Sequence, residues 1–443
     1  MRSALIVLAA LAGAPYAAAQ SPAPSQSPAP APAPRPFDVP LLEYPSNVPD
    51  GAFPSMRQSL MFSKDAFHLM HTLDGPLKSL GFWGDAAVGA LDVLYVYLPL
   101  GEAWMHEEYH RAVLSRRDIP SFNDVYRFQL LAETIAVSHV RDADLVRLKR
   151  EHPAEQVRLS AAGAEGEHDL VLELEKDSFF HDAPTPLLIQ AWLSKLSSSL
   201  YVYQCGTEEG DLLTDELNEE DGANVERRDF TGLDFTAWVY DLHRPDEPYE
   251  ARGIHPSGVG IDRYRKLAHL TAAERSYMKH QGRLTWLNLV DPHLVGIRSF
   301  GREDGTRWMA SLRHELTSFG YVIDANVFLR RGELKLAGTA HAYFSEELFL
   351  PGLDVQLIGL RVGVAGQTLT FTPRAALWWQ PRNQLYRSRD AQAGGLLALR
   401  AGWGSRRIRP YLEAEAKTEG WVAGNVYLDA NVTVRAGFTA LAF

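Results

Sequence analysis

Residues Tyr321–Arg331 read "YVIDANVFLRR". Tyr321, Ile323, Ala325, Val327 and Leu329 share one parity, and Asp324, Asn326 and Arg330 share the other. Side chains alternate across a strand, so this spacing predicts a β-strand with one apolar and one polar face. In "ELKLAGTAHAYF", Leu334, Leu336, Ala340, Ala342 and Phe344 oppose Glu333, Lys335, Thr339 and His341. In "RRIRPYLEAEAKTEG", Ile408, Leu412, Ala414 and Ala416 oppose Arg407, Arg409, Glu413, Glu415 and Lys417. Segments of about ten residues are long enough to cross a membrane as tilted strands. Roughly eight of them lie between Thr306 and Phe443, an even number that predicts a closed antiparallel β-barrel.

In a soluble barrel the apolar face points inward. In an outer-membrane barrel it faces lipid, and charges of both signs pair inside. The chain closes on "VRAGFTALAF". This resembles the terminal strand of bacterial outer-membrane barrels, which ends in Phe after alternate apolar residues. Phe443 and Leu441 match that pattern, and Thr439 and Gly437 do not continue it. The resemblance implies an outer-membrane location, with membrane lipid as a partner.

The N-terminal residues support export. In "MRSALIVLAALAGAPYAAAQ", Arg2 precedes an apolar run from Ala4 to Ala12, and Ala17-Ala18-Ala19 offers a cleavage site before Gln20. This predicts a secretory signal peptide over residues 1–19. Alternating Pro and Ala over residues 20–36 predict an extended linker. Cys205 is the single cysteine, so no intrachain disulfide forms. That fits a bacterial envelope protein better than a small secreted scaffold. Cys205 itself reads as a small buried residue.

Residues 37–300 carry mainly helical spacing and predict a helical domain ahead of a barrel over residues 301–443. The expected fold class is therefore α+β multidomain. Trp83–Ser115 is a long apolar stretch interrupted by Asp85, Asp92, Pro99 and Glu102, which predicts a buried helix bent near Pro99 rather than a membrane span. Thr271 and Glu274 stand at capping-box spacing. Thr207–Phe230 is acidic and reads as an exposed loop or short helix. A net charge of −11 argues against nucleic acid. No phosphate-binding or dinucleotide fingerprint and no nucleophile elbow is present, which argues against a nucleotide cofactor.

The helical part contains His106-Glu107-Glu108-Tyr109-His110. On a helix, His106 and His110 lie on one face and reach one cation. Zinc suits two neutral imidazoles and keeps an open position for water. Glu107 then stands beside that water as general base. The stretch resembles the gluzincin class of zinc metallopeptidases. That resemblance covers the motif and its helix, and implies His106 and His110 as ligands, Glu107 as base, and a third ligand from a later glutamate. Arg116 stands where a metzincin pattern needs its third His. Two segments offer the third ligand: "LLAETIAVSHV" with Glu133, and "SAAGAEGEHD" with Glu165 and Glu167. Small residues around Glu165 would let its helix pack closely against the motif helix, so Glu165 is the expected ligand and Glu133 the alternative. His139 and His168 are candidate neighbours of the site. His68 and His71 read as ordinary histidines. His243, His255 and Tyr264 are candidates for stabilising an oxyanion.

The expected function is zinc-dependent hydrolysis of peptides or proteins in the bacterial cell envelope, with the helical domain in the periplasm. The alternative is a non-enzymatic outer-membrane protein, used in transport or assembly, with a helical plug or periplasmic domain.

Overall fold

The structure, a computed structural model, describes residues 36–45, 54–73, 76–77, 79–97, 101–127, 135–182, 185–404 and 407–441. The predicted signal peptide, the linker up to residue 35, Glu133 and Phe443 lie outside the described residues.

The described residues open on a strand, β1 (Pro36–Tyr44). Among the described residues nine α-helices follow: α1 (Met56–Met70), α2 (Phe82–Tyr97), α3 (Glu102–Ser115), α4 (Asp142–Glu151), α5 (Pro153–His181), α6 (Thr185–Gln204), α7 (Glu208–Asp221), α8 (Asp234–His243) and α9 (Ala272–Leu284). Two short strands, β2 (Phe122–Asn123) and β3 (Val137–Ser138), pair between α3 and α4. The chain then returns to the main sheet with β4 (Phe300–Gly301), β5 (Arg307–Thr317), β6 (Gly320–Arg331), β7 (Leu334–Phe344) and β8 (Phe349–Leu357). It continues with β9 (Leu360–Val364), β10 (Gln367–Pro381), β11 (Ala391–Trp403), β12 (Ile408–Lys417) and β13 (Asn431–Leu441). The helical part is thus an insertion between the first strand and the rest of the sheet.

Local chemistry starts the helices where they start. Ser55 Oγ accepts from Gln58 N while Gln58 Oε1 accepts from Ser55 N at 2.9 Å, a capping box that opens α1. Thr271 and Glu274 make the same reciprocal pair at α9. The acidic segment after Thr207 forms the 14-residue α7, capped by the Thr207 side chain.

The expected eight-stranded closed barrel is not what forms. The sheet is antiparallel and eleven-stranded, and runs β1-β13-β12-β11-β10-β8-β7-β6-β5-β4, with β9 on β10. Among the described residues β1 and β4 end this order and do not pair with each other, so the sheet is open. The helical insertion occupies both edges. Along β1, Asp38 N donates to Asp65 Oδ1 at 3.2 Å, and Gln58 Nε2 donates to Leu41 O at 3.4 Å, both from α1. Along β5, Leu312 N donates to Val290 O at 3.1 Å and His314 N to Asn288 Oδ1 at 2.6 Å. Backbone groups already satisfied this way have no need of a closing strand.

The sheet curls around α5. One cavity of about 610 Å³ is lined by Arg313 of β5, Asp324 of β6, Arg374 of β10, Arg435 of β13 and Asp38 of β1, together with Glu173 of α5. Polar side chains therefore face the concave side.

Candidate metal centre

Helix α3 presents His106 and His110 four residues apart, with ring centroids 4.9 Å apart. Helix α5 crosses α3 at very close range. A Cβ on Gly163 would stand 2.2 Å from His106 Nε2, and one on Gly166 would stand 2.9 Å from the Tyr109 ring. Only glycine permits this approach.

The crossing fixes both imidazoles from behind. His106 Nδ1 lies 2.8 Å from Glu167 Oε1, and the Ser198 hydroxyl of α6 donates to the other Glu167 oxygen. His110 Nδ1 lies 2.6 Å from the Leu159 carbonyl. Each Nδ1 thus has an acceptor for its proton, which leaves both Nε2 atoms as lone-pair donors. They converge on one oxygen. Asp234 Oδ2 is 3.3 Å from His106 Nε2 and 3.5 Å from His110 Nε2. Tetrahedral ligands at ~2.0–2.1 Å from an ion stand ~3.3 Å from one another, so this spacing suits a metal between them. His106, His110 and Asp234 can therefore hold a metal ion. Comparison with protein-family models, curated proteins and solved structures finds no match to this chain. The chemistry of the site rests on its own geometry.

Asp234 is the first residue of α8, where a carboxylate also favours the helix dipole. Its backbone N–H donates to the Tyr201 hydroxyl at 3.2 Å. Burial pushes the Asp234 carboxyl up, but His110 and His106 outweigh it and hold it at about 2. Burial works against a charged His106, yet Glu167 and Asp234 raise it well above the usual histidine range. With no metal bound, the two carboxylates thus favour a proton on His106. Burial pushes Glu107 well above the usual carboxylate range; His106 opposes this, and Asp229 and Asp234 add to it. Glu107 thus shares the electrostatic neighbourhood of the two ligand histidines and Asp234.

Glu165, the expected third ligand, is committed elsewhere. It accepts from Arg158 Nη2 at 2.6 Å, Gly424 N at 2.9 Å and Trp421 Nε1 at 3.3 Å, with Arg158 and Glu165 side chains both fully buried. Asp234 takes the place in the metal group that Glu165 was expected to fill. Glu167, the neighbouring candidate, orients His106 rather than joining that group. His68 and His71 pair with Asp177 and Asp92, each at 3.1 Å. His168 packs against Asn288, and His139 against Ser138. His255 binds Asn218 and Ser257, His243 packs on Tyr277 and Tyr386, and the Tyr264 hydroxyl bonds Asp221. Cys205 is buried, which pushes its thiol up. A second group, Glu175, Asp291 and His293, already holds a cation: Lys195 Nζ lies 2.6 Å from both carboxylates.

Proposed function

We propose that this chain is a zinc-dependent peptidase of the bacterial cell envelope, exported and acting on peptides or proteins. The observation that carries the reading is the convergence of two Nε2 atoms, each backed through Nδ1, on Asp234 Oδ2, with Glu107 on the same helix. A zinc ion held by His106, His110 and Asp234 would supply Lewis acidity towards water and a substrate carbonyl. Glu107 takes the proton of the attacking water and passes it to the leaving amine. Its raised affinity for a proton suits the second half of that exchange, and a nearby cation would favour the carboxylate needed for the first. Glu167, Ser198 and the Leu159 carbonyl hold the imidazoles in the tautomer that ligation needs.

A second reading has its own support. His110 is 1% exposed and Asp234 4% exposed, burial that also suits an ion stapling α3 to α8 in a non-enzymatic membrane protein used in transport or assembly. Elemental analysis and peptide hydrolysis separate the two. The peptidase reading expects about one zinc per chain in wild type, zinc retained with turnover lost in Glu107→Gln, and zinc lost in His110→Ala. Wild type without metal refutes both readings. Zinc present with no Glu107-dependent hydrolysis refutes the peptidase and leaves the staple.

A further inference from the structure

The two faces of the sheet are inverted relative to a water-soluble protein. Positions facing the cavity carry charge, and these charges pair: Arg374 with Asp354 at 2.7 Å, and Arg435 with Glu413 at 2.7 Å. The opposite parity carries none. Between Tyr321 and Leu329 in β6, from Leu369 onward in β10, and through β7, β8, β11, β12 and β13, every outward position along the paired strands is aliphatic, aromatic, glycine or proline. Leu353, Leu377, Leu397, Leu412 and Val432 are each 52–70% exposed. Seven neighbouring strands thus offer one continuous uncharged convex face, far beyond the few hundred Å² normal for a water-facing surface.

Its borders are aromatic. At one end Tyr321, Phe344 and Phe349 stand side by side, with rings 4.7 and 5.2 Å apart, and Trp379 lies at the same end of β10. Towards the other end stand Trp308 and Trp403. Between Trp379 and Leu369, the partner of Trp403, runs ~33 Å of strand. A tilt of ~40° reduces that to a height of ~25 Å, the thickness of a lipid-facing band between aromatic girdles. The interior repeats the dimension. Helix α5 carries Glu165 against Trp421 and Gly424 at the first end, and Asp182, just past its C-terminus, against Arg307 and Arg330 at the second. That stretch of helix spans ~25 Å.

We infer that the convex face of the sheet lies in the acyl chains of a lipid bilayer. In place of closure, α1 and the segment after α9 hydrogen-bond to its edge strands. A flat partner protein, or a second copy, would cover part of a convex face; acyl chains cover all of it. The metal centre then stands level with the Trp379 border. Gly163 abuts His106, Glu165 meets Trp421, and Trp421 N donates to Gln380 Oε1 at 2.8 Å, next to Trp379. The lipid inference does not depend on a metal being bound.

The test uses the full-length protein reconstituted in phosphatidylcholine vesicles, with a thiol-reactive fluorophore on Leu397→Cys, Leu377→Cys or Thr372→Cys. Cys205 is buried, and wild type sets the labelling background. Leu397 pairs with Ala375 near mid-strand, Leu377 lies nearer the Trp379 border, and Thr372 lines the cavity. Lipids brominated deep in the chain are expected to quench Leu397→Cys about twofold or more, and shallow bromines to act more strongly on Leu377→Cys. Thr372→Cys stays unquenched. Aqueous iodide reaching Leu397→Cys while brominated lipid does not would overturn the inference. So would equal lipid quenching of Thr372→Cys. A wild-type protein that stays in solution as a defined dimer would assign the face to a second copy instead.

Discussion

Replacing Gly163 by Ala tests the metal centre without substituting a ligand. The new Cβ would stand 2.2 Å from His106 Nε2, 2.3 Å from Cδ2 and 2.4 Å from Cε1, against an ordinary contact of 3.4 Å or more. The ring must therefore retreat by about 1.2 Å, while metal–ligand distances tolerate only ~0.2 Å. Its Nδ1 is tied to Glu167, so it cannot retreat along its own plane without breaking that bond. Loss of a correctly placed ligand should weaken metal binding at least as much as loss of an orienting partner, by ~100-fold or more, about 2.7 kcal/mol. Stability moves differently. Overpacking destabilises by ~1–3 kcal/mol, and Gly→Ala in a helix interior returns ~1 kcal/mol, so the metal-free fold should change by ~2 kcal/mol at most. Chelator competition reads the affinity, and thermal unfolding without metal reads the fold. Gly166→Ala is the control, since its Cβ crowds Tyr109 at 2.9 Å and no ligand. Wild-type metal affinity in Gly163→Ala, or equal loss in both variants, would refute the geometry.

Metal affinity should rise with pH, because the ion must displace the proton that Glu167 and Asp234 stabilise on His106. The slope is about tenfold per pH unit while His106 remains protonated, and a flat affinity between about pH 6 and 8 would contradict it. Glu167→Gln keeps an acceptor on Nδ1 but removes its charge, and should weaken metal binding ~10–100-fold by calorimetric titration. Arg158→Ala strands the buried Glu165 carboxylate and should cost about 3–5 kcal/mol in denaturant unfolding, with metal stoichiometry unchanged. Loss of metal without loss of stability would return Glu165 to the ligand set. Leu397→Arg should destabilise the bilayer-embedded protein by ~2–4 kcal/mol, whereas on a water-facing surface it would be nearly neutral.

Local periodicity carries the strands from β5 onward, because alternation needs only neighbouring residues. It does not reveal β1. "PFDVPLLEY" contains Pro36 and Pro40, and by sequence it falls at the end of the linker and in the part that reads as helical. Proline is tolerated there because β1 pairs with β13 on one side only, with a register shift between Pro40 and Leu42. Closure is equally hidden. Whether edge strands meet depends on Gln58, Asp65 and Asn288, residues remote from those strands in sequence.

The metal centre divides in the same way. His106, Glu107 and His110 are legible because one helical turn brings them together. Small residues in α5 do signal a close crossing, and Gly163 makes it. The side-chain direction needs helix geometry. At ~100° per residue, Glu165 lies about 200° round the helix from Gly163, facing Arg158 and Trp421. Glu167, one turn on, returns to the His106 side. Asp234 has no local signature, since the packing of α8 on α5 is what carries it to the histidines of α3.

By itself, then, the sequence determined what depends on near neighbours: the strand faces, the helix carrying two histidines, and the carboxylate beside them. The tertiary structure decided what depends on distant groups meeting: that the sheet stays open with its edges covered, and that an aspartate completes the metal group. A strand edge or an open coordination position accepts any donor of suitable chemistry, and packing alone chooses which one arrives.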